Sequence, residues 1–166
     1  MLYEQLRVIP GFMSNLVRGL TPAAATKPAR KDHHMPATGG RKGAQPDLIP
    51  SEALQPVSPE TPHMRARWII QPDRGGWNDY AISEWELTRA GFSDHHPHDE
   101  VSFILAGELH IEVNGVEVIG SAGDSIRVPA GTTGRYWAPL YARMMVIYGP
   151  NPDGTESQYL KYWETD

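Results

Sequence analysis

The stretch Gly91-Phe-Ser-Asp-His-His-Pro-His-Asp-Glu-Val-Ser-Phe-Ile-Leu-Ala-Gly107 sets a polar cluster directly ahead of an apolar run that stops at a glycine. On an extended backbone, side chains two apart share a face. Asp94, His96, His98 and Glu100 follow that spacing and can converge, whereas His95 and Asp99 face the other way. Imidazoles and carboxylates gathered on one face suit a divalent ion such as zinc, manganese, iron or nickel. Val101, Phe103 and Leu105 then alternate with Ser102, Ile104 and Ala106, which predicts a strand buried on both faces. The cluster is therefore expected at the mouth of a packed interior.

The neighbouring sequence repeats the pattern of short strands and tight turns. Arg67-Trp-Ile-Ile-Gln71 reads as a strand and Pro72-Asp-Arg-Gly-Gly76 as a turn. Ala81, Ser83, Trp85 and Leu87 share one face of a strand, with Tyr80, Ile82, Glu84 and Glu86 on the other. Leu109, Ile111 and Val113 alternate with His110 and Glu112, so His110 is expected at an outward sheet position. Asn114-Gly115 is a strong hairpin signal, with Val116, Val118 and Ile119 returning from it. Ile126 with Val128, and Met144 to Tyr148, form further strands, and Gln158 to Trp163 a last strand or a short helix. Many short strands between Gly, Pro and Asn turns predict an all-β sandwich or barrel.

Two segments resemble the paired motifs of the cupin superfamily. The first motif holds two histidines one residue apart, then a glutamate, then a glycine after six residues; Glu100 and Gly107 fit its second half. Counting back from Glu100, the histidine positions fall on Asp94 and His96. The second motif is matched by Gly123, Pro129 and Gly131, but Gly134 stands at its histidine and Ala138 at its asparagine. The resemblance covers about residues 65–150 and implies a jelly-roll β-barrel. It implies the metal less firmly, since His96 and Glu100 keep the motif identities while Asp94 and Gly134 do not. Asp99 to Val113, Gly123-Asp124, Val128-Pro129 and Ala142 to Tyr148 are also similar to the cupin of the ethanolamine-utilisation Q family. That resemblance implies an accessory cupin, a link to bacterial microcompartments and a family credited with acetate kinase activity.

Ahead of the barrel lie two segments of different character. In residues 1–20, Leu2, Leu6, Ile9, Met13, Leu16, Val17 and Leu20 fall near helical spacing, broken at Pro10-Gly11. Glu4, Arg7 and Arg18 interrupt any signal-peptide core. Such a short amphipathic segment needs a partner surface. Its own barrel, a second copy, or a shell or partner protein would each provide one. Residues 21–62 are Pro- and Ala-rich and hold no Trp, Phe or Tyr, which predicts a disordered tether. Its basic middle, Lys27 to Lys42, lacks the aromatic residues that stack on bases. With a net charge of −5, no nucleic-acid partner is expected. No apolar run reaches the length of a membrane span. The absence of cysteine is compatible with a reducing cytoplasm, and the resemblance implies a place within a bacterial microcompartment there. Residues 63–166 are expected to be the cupin domain.

Three functional readings stay open. Asp94, His96, His98 and Glu100 could hold a divalent metal for a dioxygenase or isomerase. Without metal, Glu100 and His96 could act as an acid–base pair in a small-molecule pocket. Arg127, Arg135, Tyr136 and Trp137 are expected to line that pocket. A binding protein without catalysis would use the same cavity. Trp68, Trp77 and Trp163 exceed what one small barrel needs, so a homodimer is expected.

Overall fold

The computed structural model describes residues 45–166. The expectations for residues 1–20 and for the first part of the tether lie outside the described residues. Eight strands follow in order: β1 (Gln55–Pro56), β2 (Met64–Ile70), β3 (Ala81–His96), β4 (Glu100–Val113), β5 (Val116–Ser121), β6 (Ser125–Val128), β7 (Thr132–Tyr148) and β8 (Gln158–Glu164). The all-β jelly-roll expectation is met, and Gln158 to Trp163 is strand.

Three long strands organise the rest, and each serves two half-sheets. Residues 81–88 of β3 lie between β2 and the 141–148 half of β7, which in turn pairs with the first half of β4. Residues 90–96 of β3 lie between β8 and the 132–138 half of β7. That half of β7 also pairs with the second half of β4, whose other neighbour is β5. The register shifts fall together, between Thr88 and Ala90, between Ile104 and Ala106, and between Gly107 and His110. Arg89 (φ 49°) and Gly107 (φ 76°) supply the backbone reversals. A side chain at 107 would collide with the carbonyl of Tyr141, so the motif glycine is required sterically as well as conformationally. Bending there folds the two halves onto one core. Met64, Trp85 and Leu87 come from one half, and Phe92, Leu109, Ile111, Tyr136 and Ala138 from the other.

The expected inward face of β3 is correct: Ala81, Ser83, Trp85 and Leu87 are buried. Asn114 and Gly115 take φ of 54° and 79°, the conformation a two-residue hairpin demands.

One expectation needs correction. The start of β4 is not buried on both faces: Ser102 and Ile104 point inward, while Phe103 and Leu105 are 36% and 43% exposed. An alternating strand with large apolar residues in both registers looks two-sided in sequence, yet only one sheet face is covered by protein here. Strand pairing among the described residues begins ahead of His63. Leu54 and Val57 are buried, β1 pairs with β2, and Arg65 Nη2 donates to the Leu54 carbonyl at 2.7 Å.

Candidate functional site

The inward face of β3 continues through Asp94 and His96, then Pro97 breaks the strand and a short turn carries His98 to Glu100, the first residue of β4. His96, His98 and Glu100 are all buried. Their donor atoms lie within 4.8 Å of one another. Asp94 joins them, with Oδ1 3.5 Å from His96 Nε2, while Glu100 Oε2 lies 3.6 Å from the same nitrogen. His98 sits in the turn and is nonetheless buried, its ring edge-on to Tyr148 with centroids 5.3 Å apart. His95 points outward toward Thr133 Oγ1 at 3.3 Å.

The second strand of the site supplies the residue that spacing alone did not rank. Gly134 pairs with Asp94, at the level where the motif histidine would stand. A Cβ added at Gly134 would meet the Tyr136 ring and hydroxyl within 2.6 Å. The phenol of Tyr136 therefore fills the space of the missing side chain. Its hydroxyl donates to Glu100 Oε2 at 2.8 Å and lies 2.7 Å from His96 Nε2. With its single proton given to Glu100, the phenol oxygen accepts from the imidazole N–H. The three groups form one chain, His96 to Tyr136 to Glu100, enclosed by protein.

Burial governs the charges. It raises Glu100 from 4.5 to about 7, partly offset by the Tyr136 hydrogen bond. It pushes Asp94 well above the usual carboxylate range, and repulsion from Glu100 adds to the effect. It lowers His96 to about 4 and moves His98 in the same direction against the pull of Glu100. Both imidazoles are thus neutral at ordinary pH. Asp94 Oδ1, His96 Nδ1 and His98 Nδ1 are buried without a hydrogen-bond partner among the described residues. Buried polar atoms left in that state call for a ligand, an ion or water.

The cavity beside these groups measures about 20 Å³, the scale of a single ordered water. Its apolar wall is aromatic: Trp85, Phe92 and Tyr136 stack in sequence with centroids 5.5 and 4.9 Å apart. Tyr148 and Tyr159 complete that wall, while Asp94, Glu100, Ser102 and Ser157 give it polarity. Tyr148 is fixed by Ser83 Oγ at 2.6 Å and by the Trp85 indole N–H at 3.1 Å.

Of the residues expected to line the pocket, Tyr136 does so. Arg127 and Arg135 do not. Arg127 pairs with Asp99 at 2.8 Å and Arg135 with Glu112 at 2.6 Å, both on the outer surface. Trp137 is also outward, stacked near His110 with centroids 5.0 Å apart. In each case the reason is parity: positions 126 and 128 of β6 and 134, 136 and 138 of β7 face inward, so 127, 135 and 137 face out. His110 is outward as expected but held by two carboxylates, Glu117 at 2.6 Å and Glu108 at 3.0 Å. Tyr148, Tyr159 and Ser157 were missed; β8 pairs with β3, a long-range register that no local signal reports.

Comparison with known proteins agrees with this architecture. The family model described as "Cupin domain" matches residues 88–148. A curated relative, acetate kinase EutQ of Salmonella typhimurium, is 29% identical over 72 residues, which is 43% of this chain and 28% of that protein. The chain therefore spans well under a third of that relative's length. The EutQ protein of Clostridium difficile is 22% identical with a TM-score of 0.47, over 52% of this chain and 62% of that one. A cupin-like protein of Thermotoga maritima superposes with a TM-score of 0.51 at 14% identity, over 58% of this chain and 75% of that chain.

Proposed function

We propose that this chain, whose residues 88–148 match the cupin domain model, is an accessory small-molecule-binding cupin in which Glu100 and His96 act as an acid–base pair joined through Tyr136. One observation carries the reading: the Tyr136 hydroxyl contacts both His96 Nε2 and Glu100 Oε2 in the space that Gly134 leaves open. A carboxyl that titrates near neutrality can take or give a proton at working pH. Ionised Glu100 takes a proton from a ligand seated in the cavity. In its neutral form, Glu100 holds that proton on Oε1 and still accepts from the Tyr136 hydroxyl at Oε2.

The name of the curated relative does not carry over with equal support. Phosphate and acetate are anions, and the cavity presents two carboxylates with no lysine or arginine among its lining residues. An accessory role in ethanolamine utilisation, within a microcompartment in the cytoplasm, is the setting we favour from the resemblance. No helix among the described residues is long and apolar enough to cross a membrane. In that setting residues 1–20 would dock to a shell or partner protein and the barrel would pair as a homodimer. Exposed Phe103 and Leu105 favour the dimer, and light scattering that reports a stable monomer would remove it.

A second reading is favoured by the donor set itself. His96, His98 and Glu100 are close enough and of the right type for a divalent ion, with both imidazoles in the neutral form that ligation needs. Such an ion would polarise a bound ligand as a Lewis acid. We place it second because His96 Nε2 and Glu100 Oε2 are already engaged by Tyr136. Elemental analysis of protein purified without a His-tag separates the readings. Less than one tightly bound transition ion per chain is expected. Stoichiometric metal that disappears in His96→Ala would install the metal reading instead.

A further inference from the structure

We infer that the ligand of this cavity is a small organic cation, a short-chain primary ammonium held between Asp94 and Glu100 and against the aromatic wall. The inference rests on reading the cavity as a ligand site, and it goes further by assigning the charge and class of what enters.

Asp94 and Glu100 line the cavity with no lysine or arginine beside them. Asp94 Oδ1 is buried without a hydrogen-bond partner. Asp94 Oδ1 and Glu100 Oε2 lie 3.5 and 3.6 Å from the same His96 nitrogen, so one small group can reach both. The cations that could have served them are committed elsewhere. Arg127 is on Asp99, Arg135 on Glu112, and Arg67 and Arg143 both on Glu84. No lysine or arginine lines the cavity. Buried carboxylates need a cation, hydrogen-bond donors or a proton. A primary ammonium brings the first two together, with N–H groups for Asp94 Oδ1.

The walls point the same way. Trp85, Phe92, Tyr136, Tyr148 and Tyr159 line the space, and aromatic faces attract ammonium groups, most strongly where water is excluded. An anion would be repelled once either carboxyl is ionised, and a neutral solute would leave both dependent on a proton. A cavity of about 20 Å³, the scale of one water, matches an ammonium head group and bars a bulky ligand.

The test uses the full chain, stripped of metal by chelation, at constant ionic strength. Ethylammonium chloride is titrated by calorimetry and by tryptophan fluorescence. Parallel titrations use propan-1-ol as the neutral isostere, acetate as the anion, tetramethylammonium as a cation without N–H donors, and zinc chloride. Saturable binding of ethylammonium to one site is expected, with tetramethylammonium weaker and propan-1-ol and acetate silent. Asp94→Asn should weaken ethylammonium at least about tenfold, and Glu100→Gln provides a second variant should the first fold poorly. Glu112→Gln, on the outer face, should bind as the parent does. Unchanged affinity in a folded Asp94→Asn, or propan-1-ol or acetate binding as tightly as ethylammonium, would overturn the inference. If the neutral or anionic probe binds and its binding is lost in Tyr136→Phe, the ligand-site reading survives without the cationic class. If zinc alone binds, both fall in favour of a metal centre.

Discussion

Replacing Glu100 by Gln should stabilise the protein at alkaline pH while removing its acid–base group. Burial raises Glu100 from 4.5 to about 7. A carboxyl raised in the folded state stabilises fully below its unfolded value and loses that contribution as pH climbs through its folded value. The loss therefore runs from pH 4.5 to about 7 and amounts to about 3 kcal/mol, at about 1.4 kcal/mol per pH unit. His96 works in the opposite sense. Lowered to about 4, it stabilises above 6.5 and loses that contribution as pH falls toward 4. Across pH 4.5 to 6.5 the two slopes oppose each other, with Asp94, also raised, adding to the first and His98, also lowered, adding to the second. Glu100→Gln keeps an acceptor for the Tyr136 hydroxyl and removes only the carboxyl's share. Urea unfolding followed by tryptophan fluorescence at intervals from pH 4.5 to 8 reads the difference. The variant should match the parent near pH 4.5 and exceed it by about 3 kcal/mol at pH 8, with stability now rising with pH through the lower range. A variant less stable than the parent at pH 8 would refute the reasoning, because it would mean that a cation holds Glu100 ionised.

Other perturbations follow from the same geometry. Tyr136→Phe leaves His96 Nε2–H and Glu100 without their shared partner and should cost about 1–3 kcal/mol by denaturant unfolding, with ligand binding lost. Gly134→Ala places a methyl against the Tyr136 ring; it should displace the phenol and reproduce the Tyr136→Phe binding defect, whereas unaltered binding would show that the phenol has room to spare. Arg127→Ala and Arg135→Ala remove exposed pairs and should each shift stability by less than about 1 kcal/mol, with ligand binding unchanged. A chain starting at His63 loses buried Leu54 and Val57; it should melt well below one starting at Ser51, and equal melting temperatures would show that β1 contributes nothing.

The sequence and the structure agree best where a period of two meets a single buried face. Asp94, His96, His98 and Glu100 converge because the spacing allows little else, and Asn114-Gly115 turns because both residues accept positive φ. The same rule, applied on β7, would have sent Arg135 and Trp137 outward and kept Tyr136 inward. Grouping those neighbours as one pocket wall ignored the alternation. Phe103 and Leu105 misled for another reason: hydrophobicity marks a surface to be covered without saying whether the same chain covers it. The role of Tyr136 was not legible at all. It depends on Gly134 pairing across to Asp94, and so on the register of β3 with β7, which local pattern does not encode. Tyr148 and Tyr159 reach the cavity through equally distant pairings.

The account depends most on Glu100 being a buried carboxyl with no resident cation. Carbon-detected NMR of side-chain carboxyl groups, on metal-free protein through a pH titration, measures this directly. Two carboxyl resonances assigned to the Asp94–Glu100 pair should titrate far above the exposed carboxylates, Glu100 near pH 7. Both should move down when ethylammonium is added. A Glu100 resonance that titrates at or below 4.5 in the free protein would contradict the account.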